Sequence, residues 1–478
     1  MSSSATIAAL RGVLLVALVA WFAGSLGLGL MHEQQAQGLM PAPGTGTDPG
    51  IRVLLLNRGA TGQPGPAHDK LIVDVLCPAL LISPAEPDNP EHSFSVDVGE
   101  QIVFHPDADG IMISSPSRDE ERWLVSHLRI QPRETSLEPR DDEPEAQDPA
   151  RANPTTFEAK DRRPVFMLGD RRYRGSLDIR FKSAKELVAI NALPLEAYLE
   201  GVVAVEMGSS WPLEALKAQA IASRSYAYAT RLRVRGQAEY DLNDTVDFQE
   251  YQGHQYGNDL VERAVVGTAG VILAVDGQPF APLFHASSGG WTESIDNVLP
   301  GATGLHGARL SAVMPAQHDP WCQRGAEALG KMSSHWRTTA TLTPREIKDR
   351  LNAWLLARSA TRMVSTVMNV RVGQRDPASN RVQTLIVHDT KNDQHEVPAH
   401  TFRMIIGPRE IRSTLWSDVS PKRVDSSKDR SKNYEITCTG YGHGVGMSQI
   451  SAWAMDEAGR TYKEILAFFY PGAELKSW

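Results

Sequence analysis

One block of this sequence, residues 195–235, has the periodicity of helices, and short strand-like segments lie on both sides of it. Its first part, LEAYLEGVVAVEM, repeats apolar side chains at intervals of three and four residues, which is the spacing of one helix face. The flanking segments are short, rich in β-branched residues and bounded by Pro, Gly and Asp, as strands are: IRVLLL, KLIVDVL, SFSVDV, FMLGDRRYRGSLDIRF, ELVAINALP, GVILAVDGQPFAPLFHAS, VMNVRV and VQTLIVHD. β-rich segments around a central helical block predict an α+β fold.

An uncharged apolar segment, GVLLVALVAWFAGSLGLGLM at residues 12–31, is long enough to cross a bilayer as a helix. It is longer than the usual signal-peptide core of about 7 to 15 residues, which favours a membrane anchor over a cleaved signal peptide within residues 1–32. Either alternative predicts a location outside the cytoplasm, in the periplasm or cell envelope, membrane-anchored or secreted. Residues 33–50 are rich in Gly, Pro and Gln and predict a flexible linker.

The rest of the chain divides by composition. Residues 51–130 predict an N-terminal β-rich region, and residues 131–160 are acidic and rich in Pro, which predicts a disordered insertion. Residues 161–300 hold the helical block, and residues 301–478 predict a C-terminal α+β part. In that part TPREIKDRLNAWLLA predicts a helix capped by Thr343, and SPKRVDSSKDRSKN predicts a loop.

Charge and cysteine content argue against three classes of protein. With 57 acidic against 49 basic residues the formal net charge is -8, which argues against a nucleic-acid partner. The three cysteines, Cys77, Cys322 and Cys438, are too few for a disulfide framework or a four-thiolate zinc site. They leave two alternatives, one disulfide with a free thiol or three separate buried thiols.

Glu206 continues the apolar stripe formed by Leu195, Tyr198, Leu199 and Val202, and it stands just before a Gly-Ser-Ser-Trp-Pro break. We therefore expect its carboxyl group where the buried stripe opens toward a cleft. Partly apolar surroundings disfavour a charged carboxylate, so we expect a raised pKa suited to a general acid.

Other sequence features near Glu206 leave alternatives open. Pro212 is predicted in the first turn of the next helix, capped by Ser209 or Ser210. Spacing alone also allows Glu206 to pair with Arg224 or Lys217 on that helix. The neighbouring carboxylates Glu200 and Glu214 are expected to face solvent.

Four segments together carry a resemblance to a known family: LPLEAYLEGVVAVEMGSSWPLEALKAQAIASRSYAYA, RYRGSLDI, FHASSGGWTE and GYGHGVGMSQISAWAMDEAGRTYKEILAFFYPGAEL. In this order they resemble the stage II sporulation protein D (SpoIID) family of peptidoglycan-cleaving proteins, which includes an amidase-enhancer branch. The resemblance covers roughly residues 51–478 apart from the insertion. It implies a SpoIID-like fold with its catalytic region at residues 161–300.

The resemblance implies that Glu206 is the catalytic residue of a lytic transglycosylase that cleaves MurNAc-β-1,4-GlcNAc bonds and forms 1,6-anhydroMurNAc. It also implies a preference for glycan strands stripped of stem peptides. One carboxyl group can serve this reaction as acid and then as base, whereas an ordinary glycoside hydrolase usually needs a carboxylate pair. Two rival hypotheses are a non-catalytic cell-wall-binding module that stimulates an N-acetylmuramoyl-L-alanine amidase, and an envelope scaffold. The family name by itself does not imply sporulation.

Further residues match family positions and are predicted to bind substrate: Lys217, Gln219, Arg224, Tyr251, His285, Ser287, Ser288, His443 and Gln449. Each has an alternative reading. Helical Lys and Arg often face solvent, HASSGG is either a groove wall or a capped turn, and Gln449 either binds a sugar hydroxyl or caps a helix. His443 lies in a loop with four glycines, so it is either a site residue or a buried turn histidine. The absence of a G-x-S-x-G arrangement argues against a serine esterase.

Some relatives hold zinc through Cys and His, but His318, Cys322 and His285 offer no paired thiolates here. We predict no metal and no other cofactor. The predicted partners are peptidoglycan glycan strands, a cell-wall amidase and, through the N-terminal segment, the membrane.

Overall fold

The computed structural model describes residues 50–56, 68–85, 93–115, 118–123, 125–133, 164–208, 210–246, 248–254, 259–304, 309–330, 336–423 and 432–478. The apolar segment 12–31, the linker except residue 50, and most of the predicted insertion lie outside these ranges. Their predictions therefore stay predictions. Within the described ranges, no helix combines the length and apolarity that crossing a bilayer requires.

In the described chain twelve strands precede the first helix, and strands and helices are mixed after it. The strands are β1 (Ile51–Leu55), β2 (Leu71–Val75), β3 (Ala79–Ile82), β4 (Ser93–Val96), β5 (Gln101–Pro106), β6 (Ile111–Ser115), β7 (Arg118–Trp123), β8 (His127–Pro132), β9 (Phe166–Leu168), β10 (Arg171–Tyr173), β11 (Ser176–Ser183), β12 (Glu186–Leu193), β13 (Leu242–Asn243), β14 (Val271–Val275), β15 (Gln278–Pro279), β16 (Phe284–His285), β17 (Arg337–Leu342), β18 (Val367–Val372), β19 (Thr384–Asp389), β20 (Gln394–Pro398), β21 (Leu415–Arg423), β22 (Lys432–Thr439), β23 (Met447–Ser448) and β24 (Glu474–Ser477). The helices are α1 (Leu195–Met207), α2 (Leu213–Val234), α3 (Asp259–Val266), α4 (Ile295–Val298), α5 (Trp321–Ala328), α6 (Pro344–Ala357), α7 (Ala399–Ile406), α8 (Gln449–Glu457) and α9 (Tyr462–Phe469), with a 3₁₀ turn at Leu310–Ala312. This mixture confirms the predicted α+β class.

The described residues fall into two units, one made of residues 50–282 with 474–478 and the other of residues 283–473. The C-terminal strand β24 belongs to the first unit because it pairs antiparallel with β14. The boundaries predicted at residues 130, 160 and 300 stay predictions, since compactness alone does not test them.

In the first unit, one sheet has the strand order β13-β1-β12-β11-β8-β3-β4, a second has β10-β9-β2-β5-β6-β7, and a small sheet has β15-β14-β24. Apolar alternation sets their inner faces, as in β2, where Leu71, Val73 and Val75 are buried. The long strand β12 ends at Leu193, and Pro194 takes the N-cap position of α1 directly after it. The central sheet therefore fixes where the first helix begins.

The predicted helical block is confirmed as α1 and α2, but its junction differs in detail. Pro212 occupies the N-cap position of α2, one residue before the first turn, and no side-chain hydrogen bond caps that helix. Ser210 is exposed and does not serve as the cap, while Ser209 lies outside the described residues.

The second unit is built from three small sheets: β16 with β23, β17-β22-β21, and β18-β19-β20. Helix α6 packs on β18 and β22, and helix α7 packs on β19 and β20. Their shared core includes Leu351, Leu385, Phe402, Trp416 and Ile436. The predicted loop SPKRVDSSKDRSKN, residues 420–433, is too long, because strands extend into both of its ends. β21 continues to Arg423 and β22 begins at Lys432, because backbone pairing of a hairpin, such as Ser420 with Glu435, extends strands through polar sequence.

All three cysteines are buried and free, so the alternative of three separate thiols is confirmed.

Thr343 is confirmed as the cap of α6. Its hydroxyl accepts a hydrogen bond from the Glu346 backbone N–H, and the Glu346 carboxylate accepts one from the Thr343 backbone N–H. Thr343→Ala should destabilise α6 by about 1 kcal/mol because an N-cap acceptor is lost. Thr343→Ser, which keeps the hydroxyl, is the matched control. Hydrogen exchange of the α6 amides measures the effect, and equal protection in both variants would contradict it.

Candidate functional site

Glu206 lies in the last turn of α1, and it is half-buried. The other members of its predicted stripe, Leu195, Tyr198, Leu199 and Val202, are fully buried, which confirms that stripe. Gly208 ends the helix with a φ of 87°, and a Cβ atom there would lie 3.3 Å from the Trp211 ring. A sharp turn under Trp211 thus follows the carboxylate directly.

The remaining faces of α1 are buried as well. Its buried residues include Glu196, Ala197, Glu200, Val203 and Ala204, because α1 packs against α2 and α3 and is covered by the loop at residues 251–253. Only Val205 and Glu206 are half-buried along this helix. The partly exposed side chains of α1 therefore lie at its C-terminal end.

One oxygen of the Glu206 carboxylate is held by the backbone. The Glu250 N–H donates to Glu206 Oε1 over 3.1 Å. The loop that carries this donor is anchored on both sides. Gln249 accepts a hydrogen bond from the Tyr198 hydroxyl (3.2 Å) and donates to the Ser223 carbonyl (3.3 Å), and Tyr251 donates to Asn191 Oδ1 (3.0 Å). The anchored loop fixes the orientation of Glu206.

Tyr251 and Tyr198 form the buried floor of this loop. Their ring centroids are 5.0 Å apart, and a fully buried phenol has its pKa raised above the ordinary value by burial. Both hydroxyls therefore stay protonated and act as donors. The predicted substrate contact of Tyr251 does not fit this position, because the side chain is 1% exposed and its hydroxyl is bonded to Asn191.

Arg224 pairs with Glu196 and not with Glu206. Its Nε and Nη2 donate to the two Glu196 carboxylate oxygens over 2.8 and 2.6 Å, and its remaining donors reach the Val265 and Val271 carbonyls and the Thr268 hydroxyl. The side chain is completely buried. This corrects both predictions for Arg224, the contact with glycan and the pair with Glu206.

Lys217 and Gln219 also have partners on their own helix. Lys217 Nζ lies 2.7 Å from Glu214 Oε1, in a half-buried ion pair one turn apart on α2. Gln219 is buried and donates to the Ser223 hydroxyl over 3.0 Å. The described residues show Gln219 only in this contact within its own helix, so its predicted role in glycan binding stays a prediction.

Glu200 was expected in solvent, and this is wrong. It is 3% exposed, and its Oε2 accepts from Arg174 Nη1 over 2.7 Å. Arg174 also lies 2.8 Å from the ring of His254, whose pKa burial and the positive charge of Arg174 lower to about 4. Because α1 is buried on every face, a single apolar stripe could not reveal this buried ion pair.

In the second unit, the predicted motifs HASSGG and GYGHGVGMSQ interlock. Ser287 and Tyr441 exchange two backbone hydrogen bonds (2.9 and 2.8 Å), and β16 pairs in parallel with β23. All four glycines of the second motif have positive φ. A Cβ atom at Gly442 would lie 2.6 Å from His285 Cβ, and one at Gly444 would lie 2.5 Å from the Arg381 guanidinium. Gly442 is therefore required by close approach to the first motif, and Gly444 by close approach to Arg381.

His285 and His443 lie at this junction with ring centroids 5.4 Å apart. The Val445 N–H donates to His443 Nδ1 (3.1 Å), so its Nε2 is the protonated nitrogen that donates to the Phe284 carbonyl (2.9 Å). Burial and neighbouring positive charge lower the pKa of His443 to about 3, and burial lowers that of His285 well below its ordinary value. Both rings are neutral at neutral pH.

Ser287 and Ser288 point into the unit rather than toward a ligand. Ser287 Oγ lies 3.2 Å from Cys322 Sγ, and Ser288 Oγ donates to Asp319 Oδ2 over 2.6 Å. Both serines are fully buried, so the predicted groove wall does not use their hydroxyls. Gln449 is 6% exposed and begins α8, while Ser448 holds the N-cap position, so Gln449 is not the cap.

Among the described residues, one group has ligand atoms close enough to hold a metal, namely Asp389, Asp393 and His395. Asp389 already accepts backbone hydrogen bonds from Ser365, Lys391 and Asp393. His318 packs edge-on against Trp291, with centroids 5.1 Å apart, and Cys322 contacts Ser287, so these two serve packing.

Sequence reasoning missed four residues of these sites: Glu250, Asp319, Arg381 and the buried Arg403 on α7, whose Nε donates to the Arg412 carbonyl. Glu250 acts through its backbone N–H, which no side-chain pattern signals. Arg381 is buried against Gly444, and only the glycine spacing of GYGHGVGMSQ could have indicated a bulky neighbour. Asp319 and Arg403 lie in segments whose apolar periodicity gives no hint of buried charge.

Comparison with known proteins finds relatives for both units. Residues 183–274 match the family model described as stage II sporulation protein (SpoIID), and residues 322–446 match a domain of unknown function (DUF8618). An uncharacterized protein of Brachyspira hyodysenteriae is 31% identical over 320 residues, which cover 67% of this chain and 75% of that protein. The amidase enhancer of Bacillus subtilis is 32% identical over 302 residues, 59% of this chain and 40% of the relative. Stage II sporulation protein D of Bacillus subtilis is 27% identical over 303 residues, 60% of this chain and 76% of the relative.

Arg224→Met should cost about 3–5 kcal/mol of unfolding free energy, because it leaves the buried Glu196 carboxylate without its partner. Lys217→Met on the same helix breaks a half-exposed pair and should cost no more than about 0.5 kcal/mol. Thermal unfolding of the two variants compares them. Equal losses would contradict the structural role of Arg224.

Gly446→Ala should be more destabilising than Gly459→Ala. Both glycines have positive φ, so each substitution carries a similar backbone strain of about 1 kcal/mol. A Cβ atom at Gly446 would overlap the Leu283 carbonyl oxygen. A Cβ atom at Gly459 would have no described atom within 4 Å. The difference in melting temperature therefore measures the close packing of the two motifs, and no difference would contradict it.

Proposed function

The chain belongs to the stage II sporulation protein D (SpoIID) family, and from this premise we propose that it is a peptidoglycan lytic transglycosylase with Glu206 as its acid and base. One observation carries the proposal. Of the carboxylates on α1, Glu196 and Glu200 are locked in buried ion pairs with arginines, while Glu206 is half-buried at the helix end and oriented by the Glu250 N–H. This arrangement suits chemistry that needs a single positioned carboxyl group.

The reaction follows from that carboxyl group. Protonated Glu206 donates its proton to the glycosidic oxygen, and the bond from MurNAc C1 to that oxygen breaks. The resulting carboxylate then takes the proton of the MurNAc 6-hydroxyl, whose oxygen forms the new bond to C1. The products are a shortened strand ending in 1,6-anhydroMurNAc and a free GlcNAc 4-hydroxyl, and Glu206 is protonated again.

The Glu250 N–H has a defined part in this cycle. A hydrogen bond to Glu206 Oε1 holds the carboxyl plane in one orientation, which positions the group for proton transfer. The hydrogen bond also stabilises the carboxylate that forms after the first proton transfer. The buried anchors Gln249 and Tyr251 keep this donor in place, which makes them positioning residues.

The proposed substrate is the glycan strand of peptidoglycan, with a preference for strands that carry no stem peptides. The proposed location is outside the cytoplasm, since the substrate lies there and the uncharged segment at residues 12–31 suits an anchor or a signal peptide.

A second candidate function is stimulation of a cell-wall amidase without cleavage by this chain. The similarity to the amidase enhancer of Bacillus subtilis favours it, although the match spans 40% of that relative. In that case the chain would raise the rate of an added N-acetylmuramoyl-L-alanine amidase on intact peptidoglycan, and Glu206→Gln would leave the stimulation unchanged.

Glu206→Gln should lower the cleavage rate by roughly 10²- to 10⁴-fold, because an amide cannot donate or accept the transferred proton. The assay follows soluble fragments released from peptide-stripped glycan strands. Glu214→Gln makes the same change in a half-exposed pair on α2 and is the matched control. Full activity of Glu206→Gln would contradict the proposal.

Glu250→Gln distinguishes the mechanism from ordinary hydrolysis. The variant keeps the backbone N–H and changes only the side chain, which accepts a hydrogen bond from Gln252. A loss of cleavage as large as that of Glu206→Gln would identify a carboxylate pair and favour a hydrolase.

A further inference from the structure

A cluster of basic side chains surrounds the histidine junction of the second unit. This basic cluster consists of His285 on β16, His443 in the glycine-rich loop, His400 and Arg403 on α7, and Arg381 behind Gly444. Arg403 Nε and the Gly442 N–H both donate to the Arg412 carbonyl, over 3.1 and 2.8 Å, so Arg403 lies beside the glycine-rich loop. Its positive charge also helps to lower the pKa of His285 and His443. His400, His443 and the neighbouring Tyr441 are half-buried, so the cluster reaches the surface of its unit.

Arg403 is a buried cation without a carboxylate. It is 6% exposed, its Nε donates to the Arg412 carbonyl (3.1 Å), and its Nη1 contacts Met404 Sδ (3.4 Å). Within the described part of the chain it forms no ion pair, and its Nη2 donates to no group. Burial lowers its pKa to about 10, which still leaves it charged at neutral pH. A buried guanidinium in this state favours an anion that binds from outside.

Arg381 does not compete with Arg403 for an added anion, and its acidic neighbour Glu293 does not serve as a counterion for Arg403. Its guanidinium is fully buried and donates to the Ser288 and Trp291 carbonyls and the Thr414 hydroxyl. Glu293 is the nearest acidic influence on Arg381, and its carboxylate is occupied by Ser294, Asn297 and Gln383. The cluster therefore carries more positive than negative charge.

Two ring nitrogens of the cluster are buried without partners among the described residues, His285 Nε2 and His400 Nδ1. His285 Nδ1 lies 3.1 Å from the Val445 carbonyl and must donate to it, so Nε2 of this neutral ring is an acceptor. A buried acceptor without a donor is costly to maintain. The cluster thus contains a guanidinium without a counterion and an acceptor that can take an N–H or O–H group.

A metal ion does not fit these residues. Both nitrogens of His443 are used by the backbone, and the three histidines are not among the groups of described residues whose ligand atoms lie close enough together. The two guanidinium groups would also repel a cation. An organic anion with a neighbouring hydrogen-bond donor fits both features.

We propose that the basic cluster binds the lactyl carboxylate of an N-acetylmuramic acid residue that carries no peptide, with Arg403 as its counterion and His285 Nε2 as the acceptor for the neighbouring acetamido N–H. In this sugar the acetamido and lactyl groups are on adjacent carbons, and the carboxylate is free only when the stem peptide is absent. The inference rests on the proposed function for the identity of the strand. It makes Arg403 a specificity-determining residue.

The test compares two probes that differ only in this charge: peptide-free glycan oligosaccharides, and the same oligosaccharides with each lactyl carboxylate converted to a methylamide. Titration calorimetry uses the whole chain with Glu206→Gln, which prevents cleavage. The free carboxylates should bind about tenfold more tightly or better. Adding Arg403→Gln should bring the two affinities together, whereas adding Arg345→Gln, a change of an exposed arginine on α6, should keep the difference.

Arg403→Lys keeps the charge and should retain part of the difference, with an unchanged melting temperature as evidence that the variant is folded. A difference that persists in Arg403→Gln, or equal affinities while Arg403 is present, would overturn the inference. Tighter binding of peptide-bearing strands would also overturn it and assign the cluster to a peptide carboxylate. If the wild-type chain fails to cleave strands but the Arg403-dependent difference remains, the proposed activity fails and the carboxylate site stands.

Discussion

The buried ion pair between Arg224 and Glu196 ties together the elements that place Glu206. Arg224 extends from the middle of α2 to the first turn of α1, and its other donors reach the end of α3 and the start of β14. With its first turn fixed in this way, α1 runs through the unit buried on nearly all faces and ends at a glycine. A carboxylate can reach substrate from such a helix only near that end, which is where Glu206 lies.

The second unit depends on the close packing of two motifs, HASSGG and GYGHGVGMSQ. Its two motifs come from distant parts of the chain, and the backbone of one must touch the side chains of the other. Glycines at positive φ make that approach possible, and the space they leave is filled by His285 and Arg381. Close packing of this kind buries basic groups in the same part of the unit, and the proposed carboxylate site lies among them. The same loop geometry thus accounts for both the fold of the unit and the proposed carboxylate site.

Much of this could be predicted from sequence, for reasons that lie in local patterns. Short segments rich in β-branched residues form strands such as β2 and β19. Thr343 stands three residues before Glu346, and Glu206 continues a stripe whose other members are buried. Long-range pairing could not be predicted. Spacing on a helix allowed Arg224 to reach Glu206, yet the tertiary fold pairs it with Glu196, and it buries Glu200 with Arg174 from a distant strand end. Likewise the sequence predicts ligand contacts for Ser287, Ser288 and Tyr251, because it does not reveal on which side of a turn a hydroxyl points.

The central claim is that Glu206 acts alone and that the MurNAc 6-hydroxyl, rather than water, attacks the glycosidic carbon. Cleavage of peptide-stripped strands in water enriched in oxygen-18, followed by mass spectrometry of the new chain ends, tests this most directly. The account predicts unlabelled ends of 1,6-anhydroMurNAc mass. Ends that are reducing and carry one oxygen-18 atom would contradict it, since they require attack by water and a second catalytic group.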